Sequence, residues 1–230
     1  MKKALLSILL LLPAVVFGQK DVTTFLGIPV DGSKNSMIQS LKSKGFVYKN
    51  NEYLTGEFNG CDVEVRVMTN NNKVWRIAIS DIHSQNETDI KIRFNKLVSQ
   101  FSKNPKYIAA NFEDANSYLL SNEEEIGYGI NIYHKRYEAS FYQQPDISLI
   151  DTLEIQNEIR LKIQNKFGER RIQKPDDEVQ QEAKKEAIRY FFSLVDKKSV
   201  WFMISKERHD RFYITMFYDN EYNHSDGEDL

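Results

Sequence analysis

The sequence predicts an α+β fold built from tandem units, in which helices pack on one face of antiparallel sheets. Apolar and polar residues alternate over 63–67, which is the pattern of a strand with one buried and one solvated face. Apolar residues recur at helical spacing over 90–101. The Asn59–Gly60 pair is typical of a type I′ hairpin turn. Together these signals indicate a helix packed on an antiparallel meander.

The first predicted unit spans residues 19–84. Its apolar segment 25–30 contains Pro29, which donates no ladder hydrogen bond, so we expect an edge strand or a docked extended segment there. Ser33 is a candidate N-cap for a helix that ends near Gly45. Strands are then expected over 46–49, 52–58, 63–67 and 74–79.

A second, degenerate unit is predicted over residues 85–146. It begins with the 90–101 helix, which Asn104-Pro105 ends. Because Ile and Tyr alternate with Gly and Asn over 126–133, this segment is predicted as a strand. Further strands are predicted over 107–110, 116–120 and 136–143.

The third region, residues 147–224, is predicted to hold helices and a final hairpin. Apolar residues over 151–167 fit either strand alternation or a four-residue helical spacing, and the following Gly168 favours the helix. An amphipathic helix over 179–195 precedes an aromatic hairpin, and the acidic residues 225–230 are predicted to be disordered.

The N-terminus predicts export. Lys2 and Lys3 precede an apolar run over 4–17, which is the plan of a secretory signal peptide spanning residues 1–18. The run is short for a membrane span, so no integral membrane segment is expected after cleavage before Gln19. Because no cysteine lies at that point, a lipoprotein is disfavoured. We expect the protein in the periplasm or outside the cell.

Composition disfavours nucleic acid as a partner, because the net charge is −2 and no basic patch is present to neutralise phosphates. Cys61 is the single cysteine, so an internal disulfide is ruled out. Burial as a small hydrophobe is the interpretation that we favour for Cys61, and a free reactive thiol or an intermolecular disulfide is the alternative.

No motif for catalysis, a cofactor or a metal is present in the sequence. The four histidines lack paired zinc-site spacing, and His224 stands where a calcium loop beginning at Asp219 needs glycine. Neither a phosphate-binding loop nor a nucleophile elbow is found. The sequence therefore predicts no catalytic residue, no cofactor and no metal site. Acidic residues are numerous, so a carboxylate pair stays an open alternative without a location.

Residues 25–81 resemble small exported domains of the β-lactamase-inhibitor-like class, which includes the outer-membrane SmpA/OmlA type. The residues that carry the resemblance are Phe25-Leu26-Gly27-Ile28-Pro29, the helix over 36–44, Gly45-Phe46 and the meander through Ile79. The signal ending in Phe17-Gly18-Gln19 is similar to that of exported proteins of Bacteroidetes. The resemblance implies tandem domains that bind proteins through a concave sheet, and it implies no catalytic residue.

Aromatic residues on the predicted strands suggest a binding face. If 126–133 and 136–143 are strands, Tyr128 and Tyr137 face the core, whereas Tyr133 and Tyr142 face outward. Tyrosine and tryptophan dominate binding hot spots. We therefore expect an exported, non-catalytic protein that binds a protein or peptide partner through a sheet face, with Tyr133 and Tyr142 as candidate binding residues. A secreted hydrolase with carboxylate-based catalysis is the alternative.

Overall fold

The computed structural model describes residues 21–50, 52–112, 114–149 and 152–224. The predicted signal peptide and the predicted disordered tail lie outside these residues. The helices are α1 (Lys34–Ser43), α2 (Glu87–Lys103), α3 (Ile126–Tyr133), α4 (Thr152–Phe167), α5 (Glu169–Gln173) and α6 (Asp177–Val195). The strands are β1 (Thr24–Phe25), β2 (Ile28–Pro29), β3 (Val47–Lys49), β4 (Tyr53–Phe58), β5 (Cys61–Asn70), β6 (Lys73–Asp81), β7 (Tyr107–Ala109), β8 (Glu138–Gln143), β9 (Ser199–Lys206) and β10 (Phe212–Asp219).

Eight strands form one antiparallel sheet in the order β3-β4-β5-β6-β10-β9-β8-β7. The last strand, β10, pairs with β6 on one side and with β9 on the other, so it joins the two halves of the sheet. The α+β fold with an antiparallel sheet is therefore confirmed. A tandem repeat is not confirmed, because strands from all three predicted regions share one sheet and one core.

Helices α1 and α2 cover one face of the sheet. The Asn86 side chain caps α2 by accepting a hydrogen bond from the backbone N–H of Asp89, at 2.9 Å. The predicted apolar stripe of α2 is buried against β9 and β10, and each such side chain contributes roughly 1.5–3 kcal/mol on transfer from water. The buried residues of the stripe are Ile90, Phe94, Leu97, Val98 and Phe101.

The meander of β4, β5 and β6 has the predicted turn and alternation. Asn59 and Gly60 have φ values of 53° and 73°, and a type I′ turn requires positive φ at both central residues. Val63, Val65 and Val67 are all buried, whereas the residues between them face the other side. This strand therefore has one buried face and one partly solvated face.

The N-terminal segment docks onto the sheet, as predicted for residues 25–30. Phe25 is completely buried, and its ring lies 5.1 Å from that of Phe58 and 5.0 Å from that of Tyr218. The buried Gln143 side chain accepts from the Thr24 backbone N–H at 2.8 Å and donates to the Thr24 carbonyl at 2.7 Å. This segment is therefore part of the core.

The prediction of a strand over 126–133 is wrong, because these residues form helix α3. The alternation also fits two helical stripes, since residues four apart share a helix face. Ile126 is buried on one stripe, whereas Tyr128 and Ile132 are 50% and 56% exposed on the other. The expectation that Tyr128 belongs to the core is therefore also wrong.

Tertiary contacts decide the conformation of α3. The Glu87 carboxylate accepts the backbone N–H groups of Ile126 and Gly127 at 2.8 and 3.1 Å, so a residue of α2 satisfies the first donors of α3. At Gly129 an added Cβ would lie 2.0 Å from the Tyr137 hydroxyl, so the close packing requires glycine.

The predicted strand at 116–120 is also wrong, because Ala115–Tyr118 forms a 3-10 turn. The Asn95 side chain of α2 accepts from the Leu120 N–H and donates to the Leu120 carbonyl, both at 2.8 Å. These side-chain bonds replace the ladder bonds of a strand at Leu120.

Helices α4, α5 and α6 lie between β8 and β9 in the chain, although β8 and β9 pair directly in the sheet. The helical interpretation of residues 151–167 holds for Thr152–Phe167, and residue 151 lies outside the described part. Helix α4 packs against α6, so the two long helices form a helical hairpin.

Candidate functional site

The sheet has a second face, opposite α1 and α2, which we call the open face. Along β9, Val200, Phe202 and Ile204 are buried toward the helices, whereas Trp201 and Met203 alternate with them and are half-buried. The same alternation continues across neighbouring strands. Residues of the open face include Tyr53, Glu64, Arg66, Arg76, Ala78, Ser80, Ser140, Tyr142, Trp201, Met203, Ser205, Tyr213, Thr215 and Phe217.

Two aromatic residues stack at the centre of the open face. Trp201 of β9 and Phe217 of β10 are directly opposed in the strand register. Their ring centroids lie 4.1 Å apart with an interplanar angle of 26°, which is a stacked arrangement. Aromatic cross-strand pairs stabilise a sheet, and here both rings also keep part of their surface exposed to solvent.

Arg76 of β6 lies against these rings. Its guanidinium carbon is 4.7 Å from the Phe217 ring centroid and 5.5 Å from that of Trp201. It also lies 4.3 Å from the ring of Trp75. These distances are within the range of a cation–π interaction, so three aromatic rings and one cation form a single cluster on the open face.

Asp219 holds this cluster in one arrangement. Its two carboxylate oxygens accept from Nε and Nη2 of Arg76, both at 2.6 Å, and Oδ2 also accepts from the Trp201 indole N–H at 3.0 Å. The Asp219 side chain is 2% exposed, whereas that of Arg76 is 21% exposed. The buried carboxylate therefore lies beside Arg76 and Trp201 and fixes both side chains.

A β-bulge positions Trp75. Met68 pairs with Arg76 and Thr69 pairs with Val74, so Trp75 is an extra residue on β6. Its ring lies 4.7 Å from that of His224, which follows β10 near the described C-terminal end. The bulge thus brings a second tryptophan beside Arg76.

A polar cavity of about 400 Å³ adjoins the aromatic cluster along the same face. Phe217, Ala78 and Arg66 are successive neighbours across β10, β6 and β5, so a short side chain separates the aromatic cluster from Arg66. Arg66 lies 3.2 Å from Glu64 and stacks 5.2 Å from the Tyr53 ring. Residues lining the cavity include Glu64, Arg66, Ser80, Lys206, Glu207 and Tyr213.

The two predicted binding tyrosines lie on different elements. Tyr142 of β8 is half-buried on the open face, as predicted, and stacks on Phe112 at 5.8 Å. Burial raises the pKa of Tyr142, and the carboxylates of Asp196 and Glu221 add to this shift. Tyr133 is 69% exposed, but it ends helix α3.

Tyr133 does not belong to the open face. The helix that carries it packs into the core through Ile126, beside α2, and its ring lies 5.3 Å from that of Tyr128. The inward positions predicted for Tyr137 and Phe141 are observed, since these side chains are 3% and 1% exposed.

The acidic groups of this region bear on the hydrolase alternative. Burial raises the pKa of Glu221, and the neighbouring Asp219 carboxylate raises it further. Both oxygens of Asp219 are already engaged by Arg76 and Trp201, so Asp219 is not a free partner for Glu221. Within the described residues, no group of three or more potential metal-binding side chains is found.

Cys61 packs partly against the core, and burial raises the pKa of its thiol. A raised pKa disfavours the nucleophilic thiolate. These two observations support the packed interpretation of Cys61 over the reactive one.

Sequence reasoning did not identify Arg76, Phe217 or Asp219 as residues of the candidate site. The alternation along β9 and β10 could have identified Phe217. It places Trp201 and Phe217 on the sheet face that does not carry the buried residues of these strands. The link to Arg76 was not visible, since it depends on the pairing of β10 with β6.

Comparisons of the chain with protein-family models, with curated proteins and with solved structures find no match. Among the helices of the described residues, none is both long and apolar enough to cross a membrane.

Proposed function

We propose that this protein is an exported, non-catalytic binding protein that uses the open face of its sheet to bind a protein or peptide. The observation that carries the proposal is the cluster of Trp201, Phe217 and Arg76, in which the buried Asp219 carboxylate accepts hydrogen bonds from Arg76 and Trp201. Sheet-face binding is also the mode that the resemblance to β-lactamase-inhibitor-like domains implies.

The chemistry of the cluster suits recognition of a polypeptide. Tryptophan and arginine are enriched among residues that dominate protein interfaces, because they combine large apolar surfaces with hydrogen-bonding groups. Stacking and the Asp219 hydrogen bonds restrict these side chains before any partner arrives. These side chains therefore lose less conformational entropy when a partner binds than the side chains of a mobile surface would.

The charged end of the face adds polar contacts. Arg66 and Glu64 line the 400 Å³ cavity beyond Ala78. An extended peptide that crosses the sheet would meet the aromatic cluster first and then groups of both charge signs. This order favours a partner with an apolar or aromatic anchor followed by polar residues.

Differential capture tests the proposal. The exported protein is immobilised and challenged with periplasmic and extracellular fractions of its host, in parallel with a Trp201→Ala/Phe217→Ala variant. Ile92→Ala is the matched control, because Ile92 is 62% exposed on α2, away from the open face. We expect a bound species whose recovery falls at least tenfold with the double variant and is unchanged with the control.

Met203→Lys is a second variant that tests the open face even if the double variant does not fold. It adds a charge at a half-buried position of this face and keeps the stacked pair. Equal recovery of every bound species by the wild type, the double variant and Met203→Lys would contradict the proposal. Circular dichroism spectra and thermal melts establish that the compared variants are folded.

A further inference from the structure

The α4–α6 hairpin has two unlike sides. On one side, the ammonium of Lys166 lies 2.8 Å from Glu182, and that of Lys162 lies 3.7 Å from Glu186 and 3.2 Å from Glu158. Glu182 and Glu186 have side-chain exposures of only 14% and 13%. This side is therefore closed by a ladder of ion pairs between the two helices.

The other side of the hairpin is an open apolar groove with a volume of about 320 Å³. Ile163 and Val179 form its floor and are 4% and 3% exposed. Ala183 and Ala187 line the α6 wall one turn apart, and Phe191, 41% exposed, follows one further turn along. Small residues on this wall let another backbone approach closely.

The shape of the groove fits about two turns of one added helix. Its lining runs from Gln156 to Ile163 on α4 and from Val179 to Ala187 on α6, so the groove is about 11 Å long at 1.5 Å per residue. An amphipathic helix laid in such a groove buries apolar residues at i, i+3 or i+4, and i+7. The exposed Phe191 and Ala187 supply the contact surface on α6.

Charge distinguishes among the occupants that such a groove admits. Among the described residues that line it, Arg160 alone is charged. Lys184 lies at the α6 edge, because it follows Ala183 and precedes Ala187 by three residues on the helix. The charge within the lining is therefore positive, which complements a partner helix that carries acidic residues beside its apolar stripe.

We propose that this groove binds an amphipathic α-helix of another protein, whose apolar stripe is flanked by acidic residues that face Arg160 and Lys184. This site is separate from the open face of the sheet and does not depend on the function proposed there. The apolar floor supplies affinity, and the two cations select the charge and orientation of the partner helix.

A pair of synthetic probes tests the inference. Both are fluorescent helical peptides of roughly 20 residues with a leucine stripe at i, i+3, i+4 and i+7, and they differ only in having Glu or Lys beside the stripe. Fluorescence anisotropy with the full protein should show saturable binding, about tenfold tighter for the Glu peptide at low salt. This preference should shrink as salt rises.

Variants locate the binding. Ala187→Glu should weaken binding of the Glu peptide at least tenfold, and Arg160→Glu with Lys184→Glu should invert the preference between the peptides. Lys185→Glu is the matched control, since it reverses a charge on the outer surface of the same helix, and it should leave the preference in place. Trp201→Ala should leave peptide binding unchanged, which separates this site from the open face.

Photo-crosslinking from position 187 identifies the occupant. A cross-link to the Glu peptide supports the inference. A cross-linked dimer formed in preference to it would overturn the inference in favour of a second copy, and an internal cross-link to residues 4–17 would overturn it in favour of the chain's own N-terminal run. Absence of saturable binding, or equal affinity for both peptides, would also refute it.

Discussion

Removal of the Asp219 carboxylate should destabilise the fold through Arg76. The pair is joined by two hydrogen bonds of 2.6 Å, with side-chain exposures of 2% for Asp219 and 21% for Arg76. Breaking a buried ion pair from one side costs roughly 3–5 kcal/mol, because a charge stays behind without its partner. Since Arg76 retains some contact with water, we expect Asp219→Ala to lower the free energy of unfolding by about 3 kcal/mol.

A double-mutant comparison separates the stranded charge from lost packing. Arg76→Met with Asp219→Leu removes both charges and keeps apolar atoms against the Trp75, Trp201 and Phe217 rings. We expect the double variant to be about 1–2 kcal/mol less stable than the wild type, and so more stable than Asp219→Ala. Replacing a buried pair by apolar residues is often nearly neutral, and the remaining loss comes from the Trp201 indole N–H, which no longer has Asp219 as its acceptor. Urea unfolding at pH 7 measures the free energy of unfolding of Asp219→Ala and of the double variant. The comparison requires that the m-values equal that of the wild type.

Either of two stability measurements would refute this reasoning. If Asp219→Ala costs less than about 1 kcal/mol, the pair behaves as an exposed salt bridge and does not fix the cluster. If the double variant is as unstable as the sum of its single changes, packing rather than an unpaired charge carries the loss.

Three further predictions concern other parts of the chain. Gly129→Ala should destabilise the protein by about 1–3 kcal/mol in urea unfolding, because the new methyl group would overlap the Tyr137 hydroxyl, and adding Tyr137→Phe should restore part of the loss. The pKa of Glu221 is raised by burial and by Asp219, so its ionisation opposes folding. Glu221→Gln should therefore match the wild type below the ordinary glutamate pKa of about 4.3 and be more stable at pH 7; equal stability at both pH values would contradict this. N-terminal sequencing of the protein from its host should begin at or near Gln19, and an intact Met1 in exported material would disprove signal cleavage.

The sequence predicts well wherever a few neighbouring residues decide the structure. The valine alternation of β5 and the apolar stripe of α2 each repeat often enough to select one period, and both are observed. The Asn59–Gly60 turn is decided by two residues that tolerate positive φ. These local signals are sufficient for the meander and for the helix that covers it.

Prediction failed where partners distant in the chain supply the hydrogen bonds. At the start of α3, the backbone N–H groups of Ile126 and Gly127 donate to the carboxylate of Glu87, about 40 residues earlier in the chain. Gly129 is explained by the approach of Tyr137 and not by a strand. A short segment with several glycines and an alternating pattern is compatible with both periods, so its tertiary contacts decided the outcome.

The contacts of the candidate site also differ in whether neighbouring or distant parts of the chain determine them. Trp201 and Phe217 oppose each other within one hairpin, so their contact needs only the register of β9 and β10. Arg76 and Asp219 are 143 residues apart, and they meet because β10 lies between β9 and β6. If β10 were the edge of a separate C-terminal hairpin, Trp201 and Phe217 would still stack. Arg76, however, would not reach the carboxylate of Asp219. Alternation therefore shows which residues of a strand share a face, whereas it does not encode strand order, which brings Arg76 and Asp219 to the aromatic pair.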